Sequence, residues 1–343
     1  MRGVVKFKDG QDGWEIRDIP RPDPMDHEVE IKIKAAGICG SEVHLYHDNH
    51  FYTPPVVVGH EFAGEISRVG KNVTNWKVGD RVVTENHKSA CMACAYCKSG
   101  ALIFCKERKA VGYVLNGGWT SYFCTPARLL IPIPDSVSFE VATMTEPVAV
   151  ATMALIEKQT IGQGDVVLVQ GCGTIGLVHA IVAQSIGAGT VIITGTEADE
   201  AVRLPIARKF GFDHVININK TNLKEFVMDL TDGKGVDVFV DCSGSPEGLY
   251  STIELTRRAG KIVAIGEPPK PDIEFPWLAA IFRACTIYFS LGSSYAGWKH
   301  ALRIMEKVNL SPLITHVMPI DDYRKGFQLL DDKEALKVIL LPD

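Results

Sequence analysis

The chain has 343 residues, of which 46% are hydrophobic and 22% are charged, and its formal net charge is −5. The length predicts two domains, and the composition is that of an ordinary globular protein. The small acidic charge gives no reason to expect nucleic acid or an anionic membrane as a partner. The N-terminus lacks an apolar core of signal-peptide length, and no apolar run reaches the roughly 18 residues that span a bilayer. We therefore expect a cytoplasmic protein with reduced cysteines.

The first part of the chain is rich in short β-like runs that are separated by glycine and proline. The clearest are EVEIKIKAAG at 28–37, VVVGHEFAGEISRVG at 56–70 and VGDRVVTE at 78–85. Alternating apolar and polar residues between turn residues are typical of strands that are buried on one face. The pattern predicts a compact, mainly β domain.

A polar loop in this domain contains four closely spaced cysteines, with the spacing C-x2-C-x2-C-x7-C. They are Cys91, Cys94, Cys97 and Cys105. Four thiolates form one of the standard tetrahedral sets for structural zinc. Two disulfides and unligated core cysteines are the alternatives, but a reducing compartment and the polar loop argue against them. The surrounding Lys88, Lys98, Lys106, Arg108 and Lys109 would offset the negative charge of a four-thiolate zinc site.

From about residue 165 the pattern changes to alternating strands and helices. DVVLVQ at 165–170 is a continuous apolar run, as expected for a strand buried on both faces, and a helical segment follows it. TVIITG, HVININ, VDVFVDCSG and GKIVAIGE continue the alternation, with helical stretches between them. This arrangement predicts a doubly wound parallel sheet.

The turn after the first of these strands has the sequence GCGTIG at 171–176, which is a G-x-G-x-x-G motif. Its position between a strand and a helix is the context that a dinucleotide-binding loop requires. Gly171 permits the tight turn, Gly173 lets the backbone approach a pyrophosphate, and Gly176 lets helix and strand pack closely. Thr174 and Ile175 open the helix, whose free N–H groups favour an anion. We expect all five residues to contact the cofactor.

A second set of metal-ligand types is spread over the first part of the chain. It comprises Cys39, His60, Glu61 and Glu146. Cysteine, histidine and carboxylate together are a plausible set for catalytic zinc. Their spacing alone does not distinguish ligands from ordinary core or surface residues.

The motifs together resemble the zinc-dependent medium-chain dehydrogenase/reductase superfamily, in its alcohol, polyol and threonine dehydrogenase branch. CGSEVH, GHEFAGEISRVG, VGDRV, the four-cysteine loop, the Glu-Pro pair at 146–147, GCGTIG and DCSG occur in the order of that family. The resemblance implies an α/β protein: a Rossmann domain with a doubly wound parallel sheet at 147–280, and a mainly β, GroES-like catalytic domain at 1–146 and 281–343. It also implies an NAD(P)-dependent alcohol dehydrogenase of the EC 1.1.1 type with two zinc ions per chain.

For the catalytic zinc, the resemblance implies Cys39 and His60 as ligands, with a carboxylate as the third. Glu61 and Glu146 compete for that role. We favour Glu61 at rest, because Gly59 allows the backbone to bend so that His60 and Glu61 both face the ion. Ser41 is then the first group of a proton relay and His44 a possible second. The expected substrate is a small alcohol or ketone, the alcohol being secondary and of the polyol, sugar-alcohol or hydroxy-amino-acid type.

The residues after the second strand bear on the choice between NAD and NADP. An acid that bonds the adenosine ribose usually lies about 20 residues beyond the glycine loop, and that position is Gly195. Thr196 and the acidic Glu197, Asp199 and Glu200 follow, and Arg203 is the first cation. We expect Glu197 to replace the missing acid, and NAD to be favoured over NADP. Further expected cofactor contacts are Cys242, Ser243 and Gly266.

Some alternatives stay open on sequence alone. A zinc-free quinone or enoyl reductase of the same superfamily, or a non-catalytic NAD-binding protein on the same fold, would share many of these motifs. Polyol-specific members often carry an arginine near TIYFSLGSS, where this chain has Leu291 and Ser293, which argues against a simple polyol. The family resemblance also implies a homodimer or homotetramer that pairs through edge strands, and the apolar run ACTIYFSLG at 284–292 fits such an edge.

Overall fold

A computed structural model describes residues 1–270 and 272–343 of the chain. The strands are β1 Arg2–Lys6, β2 Trp14–Asp18, β3 Glu28–Gly37, β4 Val56–Val57, β5 Phe62–Val69, β6 Arg81–Thr84, β7 Tyr122–Pro126, β8 Leu130–Pro132, β9 Val166–Gln170, β10 Thr190–Gly195, β11 His214–Asn217, β12 Val236–Asp241, β13 Thr256–Ala264, β14 Thr286–Phe289, β15 Ile314–Pro319 and β16 Lys337–Leu341. The helices are α1 Gly40–Tyr46, α2 Ala95–Lys98, α3 Phe139–Ala142, α4 Thr145–Thr152, α5 Thr174–Ser185, α6 Arg203–Lys209, α7 Leu223–Leu230, α8 Pro246–Leu255, α9 Trp277–Arg283, α10 Tyr295–Met305 and α11 Tyr323–Asp331.

The chain divides into two compact units. The first unit is Met1–Ala149 with Ser293–Asp343, and the second unit is Val150–Gly292. Our sequence-based boundaries lie at 146/147 and 280/281. The second boundary differs by twelve residues, because β14 pairs in parallel with β13 and so belongs to the sheet of the second unit.

The first unit is built around β3, which pairs with both β5 and β7 in antiparallel fashion. A seven-stranded sheet has the order β15-β16-β3-β5-β6-β8, with β7 also on β3, and a three-stranded sheet has the order β2-β1-β4. Val29, Ile31 and Ile33 alternate along β3 and are at most 1% exposed. The apolar alternation of the sequence predicts the burial of these three residues, but Glu30 between them is fully buried as well, so burial along β3 does not follow period two. The expectation of a mainly β domain is confirmed.

The second unit is a six-stranded sheet in the order β11-β10-β9-β12-β13-β14, and every pairing in it is parallel. Counted within the unit, this order is 3-2-1-4-5-6, the arrangement of doubly wound dinucleotide-binding folds. Val167, Leu168 and Val169 at the centre of β9 are fully buried, which explains the unbroken apolar run there. The predicted α/β class and the parallel Rossmann sheet are confirmed.

The long helices of the second unit follow strands and are entered past turn or capping residues. Gly173 is the N-cap of α5, and Asn222 and Ser245 cap α7 and α8 through their side-chain oxygens. Within the described residues, the structure contains no helix that is both long enough and apolar enough to cross a membrane.

Candidate functional site

The turn before α1 and the start of β5 bring Cys39 and His60 together in the first unit. Cys39 is the N-cap of α1, and its N–H donates to Glu42 Oε2 at 2.8 Å. The other oxygen of Glu42 lies 2.5 Å from Nδ1 of His60. Cys39, Glu42 and His60 each offer a ligand atom, and these atoms lie within 4.8 Å of one another. Because Nδ1 faces Glu42, Nε2 of His60 is the nitrogen left for a metal.

A second group, formed by His60, Glu61 and Glu146, meets the same distance criterion of 4.8 Å. Gly59 precedes it with φ +94°, and a Cβ there would lie 2.1 Å from Trp119 Cδ1, so this position requires glycine. Glu61 is paired with the buried Lys337, whose Nζ also donates to the Ile38 carbonyl at 3.0 Å. The predicted catalytic ligands therefore fall in two groups that overlap at His60, and Glu42 and Lys337 contribute to the same region.

The charges of this region fit a divalent cation. The carboxylates of Glu42, Glu61 and Glu146 are all buried in these two groups, with the buried Lys337 as a compensating cation. Burial raises the pKa of Glu146 to about 7. Burial and the charge of Glu61 also raise the pKa of the Cys39 thiol. A bound cation would reverse both effects, because it stabilises the ionised form of each group.

The imidazole of His60 responds to the same charge surplus. Burial by itself lowers the pKa of His60, but Glu42, Tyr113 and Cys39 together outweigh burial and raise the pKa well above its usual range. A metal at Nε2 would take the place of that extra proton. Thiolate, imidazole and carboxylate are all ligand types that zinc binds in proteins.

The hydroxyl of Ser41 lies in the first turn of α1, next to these groups. Its Oγ accepts a hydrogen bond of 2.6 Å from the Tyr113 hydroxyl. His44, the other predicted relay group, is exposed on α1. The structure thus places a tyrosine that the sequence analysis did not single out next to the expected first relay group.

The four-cysteine loop also forms a single cluster, with its sulfur atoms within 4.8 Å of one another. A tetrahedron with zinc–sulfur bonds of about 2.3 Å has sulfur–sulfur edges of about 3.8 Å. Cys91 Sγ and Cys97 Sγ are 3.8 Å apart. Backbone N–H groups of Ala93 and Cys94 point at Cys91 Sγ and lower its pKa to about 7. These distances and donors fit a structural zinc site.

In the second unit, the glycine loop has the geometry that a bound pyrophosphate requires. Gly171 has φ +98°, and a Cβ at Gly176 would lie 1.8 Å from the Gly171 carbonyl oxygen. A Cβ at Gly173 would meet nothing within 4 Å, so that side of the turn is open. Thr174 is the first residue of α5 and Ile175 the second. An open turn at the N-terminus of a twelve-residue helix fits an anion.

Asp241 organises the neighbouring loops at the same edge of the sheet. Its carboxylate accepts hydrogen bonds from the backbone and hydroxyl of Ser243, at 3.2 and 2.8 Å, and from Gly244 N at 3.1 Å. Its carbonyl accepts from Gly266 N at 3.0 Å. The predicted cofactor contacts Cys242, Ser243 and Gly266 thus lie where the carboxyl ends of parallel strands meet, which is the ligand-binding edge of such folds.

Comparison with known proteins identifies the family. An alcohol dehydrogenase GroES-like domain model matches residues 25–135, and a zinc-binding dehydrogenase model matches residues 174–307. The chain is 38% identical to a sorbitol dehydrogenase of Halalkalibacterium halodurans, over 100% of this chain and 99% of that protein. The chain therefore belongs to the zinc-dependent medium-chain dehydrogenase/reductase superfamily.

Other superfamily members support the assignment. An L-threonine 3-dehydrogenase of Escherichia fergusonii is 33% identical, over 99% of each chain. The solved alcohol dehydrogenase of Thermus sp. ATN1 covers 100% of both chains with a TM-score of 0.89 and 28% identity. As a member of this superfamily, the chain is an alcohol oxidoreductase that uses zinc and a nicotinamide cofactor on a small-molecule substrate. The predicted family, enzyme class and reaction type are confirmed.

The residues around Gly195 and the acidic run bear on how this superfamily member would bind the adenosine end of a dinucleotide. A Cβ at Gly195 would lie 2.5 Å from Cys172 Sγ and 2.9 Å from Leu204, so packing alone accounts for the missing acid. Arg203 is the first cation after the acidic run in the sequence. The structure brings Lys220 to Glu197 at 3.0 Å and Arg208 to Glu200 at 3.2 Å, while Arg203 pairs with Asp199 at 3.4 Å.

Four residues that contact the candidate site residues were not predicted from the sequence: Glu42, Tyr113, Lys220 and Lys337. Glu42 had a usable signal, because an acid three residues after Cys39 at a helix start is placed to accept its N–H. Lys337 carried a weaker signal, as a lysine that opens the apolar strand KVILL. No sequence signal points to Tyr113 or Lys220, since only the fold brings these two residues to their partners.

Proposed function

We propose that the chain oxidises a secondary alcohol carrying further hydroxyl or polar groups, of the polyol, sugar-alcohol or hydroxy-amino-acid type, or reduces the matching ketone. The first unit is the catalytic domain and the second unit binds the dinucleotide. The observation that carries the proposal is the pair of ligand groups that share His60, Cys39–Glu42–His60 and His60–Glu61–Glu146, close to the Ser41 hydroxyl. Sorbitol and L-threonine dehydrogenases among the relatives support the substrate class.

Two zinc ions per chain are part of this proposal. Cys91, Cys94, Cys97 and Cys105 hold the structural ion, and Cys39, His60 and a carboxylate hold the catalytic one. Glu61 and Glu146 both reach the His60 group, and we keep Glu61 as the resting ligand with Glu146 able to exchange with it. The pairing of Glu61 with Lys337 means that a metal and the lysine share this carboxylate.

The chain's own residues then handle the substrate proton. Zinc, when bound, supplies a Lewis acid that lowers the pKa of an alcohol, and the nicotinamide accepts the hydride. The hydroxyl proton of the substrate passes to Ser41 Oγ, and the proton that the serine gives up passes to a second group. His44 is the proposed second group, because its exposure allows exchange with water. Glu42 holds His60 in the orientation that leaves Nε2 for the ion.

A polar-substituted substrate is supported by the segment that follows β6. Glu85 Oε2, Asn86 Oδ1 and His87 Nε2 are buried and have no hydrogen-bond partner among the described residues. Burial lowers the pKa of the nearby Arg108, and the carboxylates of Glu146 and Glu85 oppose that shift. A buried polar atom without a hydrogen-bond partner destabilises the fold. Polar groups of a bound substrate would supply the missing partners.

We propose NAD rather than NADP as the cofactor. Lys220 and Arg203 are already paired with Glu197 and Asp199, and a 2′-phosphate would have to displace a carboxylate to reach either. Glu197 is exposed and can accept hydrogen bonds from a ribose. The test is kcat/KM with both cofactors and one substrate. A preference of tenfold or more for NADP, about 1.4 kcal/mol, would reverse the proposal.

We propose a homodimer or homotetramer that pairs through β14, in the cytoplasm. β14 is the last strand of its sheet, and exposed apolar side chains lie on it and on α9: Trp277 69%, Phe282 71%, Phe289 79%. An apolar edge of this kind is covered by a second copy or becomes a site of aggregation. Light scattering that gives a monomer at micromolar concentration would contradict the assembly.

The main experiment is a turnover panel together with elemental analysis of the purified protein. Simple secondary alcohols, polyols and hydroxy amino acids are offered with NAD and with NADP. We expect turnover that is fastest with polar-substituted secondary alcohols, and two zinc ions per chain. One zinc ion per chain, together with activity on activated double bonds, would favour a reductase that has only the structural zinc and no catalytic zinc. Cofactor binding without any turnover would favour a non-catalytic protein.

A further inference from the structure

Tyr113 is held against Ser41 by contacts on several sides. Its hydroxyl donates to Ser41 Oγ at 2.6 Å, and the residue is only 7% exposed. Its ring stacks on His50, with centroids 4.7 Å apart, and contacts His60 at 5.4 Å. Its carbonyl accepts from Thr53 N at 2.8 Å. The phenol therefore has little freedom to move away from the serine.

The backbone next to Tyr113 packs directly on the turn that presents His60. Gly112 has φ +83°, and a Cβ there would lie 3.0 Å from backbone atoms of Gly59. Gly117 N and Gly118 N bond the carbonyls of Val57 and Gly59, at 2.7 and 2.8 Å. Short backbone and side-chain contacts therefore fix the positions of Ser41, Tyr113 and His60 relative to one another.

A serine hydroxyl has one proton and two lone pairs. When Tyr113 donates to one lone pair of Ser41 Oγ, one lone pair is left to accept the substrate proton, and the serine proton points to a further acceptor. In oxidation, the carbinol carbon loses a hydride to the nicotinamide, the hydroxyl proton goes to Ser41 Oγ, and the serine proton passes to the proposed second group, His44, and from there to water. Without the tyrosine hydroxyl, Ser41 can turn either lone pair or its proton toward the substrate.

We propose that Tyr113 is a positioning residue that orients the Ser41 hydroxyl for proton transfer. The inference rests on the proposed role of Ser41 in the reaction above. It assigns to Tyr113 no contact with the substrate, and its effect is exerted through Ser41 alone.

The test is a double-mutant cycle of wild type, Tyr113→Phe, Ser41→Ala and the double variant, each assayed with the best substrate of the panel. Phenylalanine keeps the stacking on His50 and His60 and removes only the hydroxyl. We expect Tyr113→Phe to lower kcat about tenfold, with KM changed less than about twofold, since a lost hydrogen bond of this kind is worth about one factor of ten. In the Ser41→Ala background the same change should have no further effect on kcat.

A second measurement on the same four proteins does not need turnover. Denaturant unfolding should show coupling between the two residues, because the hydrogen bond exists in the resting protein. Zinc content and NADH affinity should be equal in wild type and Tyr113→Phe. Tyr52→Phe is the matched control, since its hydroxyl donates to Asp9 at 2.6 Å and not to Ser41. The control should keep wild-type kcat.

The outcomes separate this inference from the proposed function. Independent losses of kcat from the two changes, or coupling in stability without coupling in kcat, would overturn the role of Tyr113 while leaving an active dehydrogenase. A fully metallated wild type without turnover on the panel would overturn the proposed function and this inference together. A loss of kcat from Tyr113→Phe that is seen with Ser41 present, and not in the Ser41→Ala background, supports the proposed role of Tyr113.

Discussion

Glu42 holds the Nδ1 edge of His60 at 2.5 Å, although the two residues lie 18 positions apart in the chain. The contact fixes which nitrogen of the imidazole faces away from the carboxylate. The same carboxylate accepts the Cys39 N–H through its other oxygen at 2.8 Å. One side chain therefore orients both the proposed thiolate ligand and the proposed imidazole ligand.

Replacing Glu42 by glutamine should weaken the catalytic zinc. The amide keeps the shape but removes the charge that orients and polarises His60, and losses of about 10–100-fold in metal affinity are typical for such partners. The measurement is zinc retention against a competing chelator. Glu65→Gln is the control, because Glu65 pairs with Lys34 at 3.0 Å away from this group. Equal retention in Glu42→Gln and wild type would contradict the role of Glu42.

Removing the cation beside Glu61 should destabilise the first unit. Lys337 and Glu61 are each 1% exposed and paired with one another. In the metal-free protein, Lys337→Met leaves a buried carboxylate uncompensated, and the expected loss is about 3–5 kcal/mol in the free energy of unfolding. The double variant Lys337→Met/Glu61→Gln should be more stable than Lys337→Met alone. A single variant as stable as wild type in denaturant unfolding would argue against a buried ion pair.

Substitutions at the two proposed zinc sites should have different effects on stability and on turnover. Cys94→Ser should lose one zinc per chain and lower stability, because a structural zinc contributes folding free energy. Cys39→Ser should also lose one zinc, yet keep the thermal midpoint near that of wild type and abolish turnover. Each variant serves as the control for the other in zinc analysis, calorimetry and turnover. If Cys39→Ser turns over at the wild-type rate, the catalytic assignment is wrong.

The stability of the first unit should depend on pH through Glu30. Burial by itself raises the pKa of Glu30, but hydrogen bonds from Arg21, Arg68 and Ser67 outweigh it and lower the pKa to about 2. A depressed carboxylate pKa stabilises the fold above the usual range near 4.5, and this contribution is lost as pH falls from about 4.5 to 2.

Glu30→Gln should therefore be destabilised near neutral pH by up to about 3 kcal/mol, the free-energy equivalent of a carboxylate pKa lowered from 4.5 to about 2, and less so below pH 4. Denaturant unfolding at several pH values measures the difference. Asp23→Asn is the matched control, because Asp23 contacts the same Arg68 at 2.6 Å but its side chain is 87% exposed. Its effect should stay within about 0.5 kcal/mol, as for exposed pairs. A pH-independent loss in Glu30→Gln would contradict the assignment.

The sequence by itself determined the features whose residues lie close together along the chain. Four cysteines within fifteen residues and a glycine motif between a strand and a helix each bring their own partners together, so chain order is enough to predict the clusters. The buried parallel sheet was equally predictable, because strands covered on both faces must be continuously apolar.

Only the tertiary structure decided the pairings across long separations. Tyr113 meets Ser41 across 72 positions, and Lys337 meets Glu61 across 276. The cations beside the acidic run, Lys220 and Arg208, and the boundary after β14 likewise came from packing. The physical reason is that a buried charge or hydroxyl needs some partner, but its own sequence neighbourhood does not specify which one. The fold supplies that partner by placing β16 beside β3 and the Gly112 turn against Gly59.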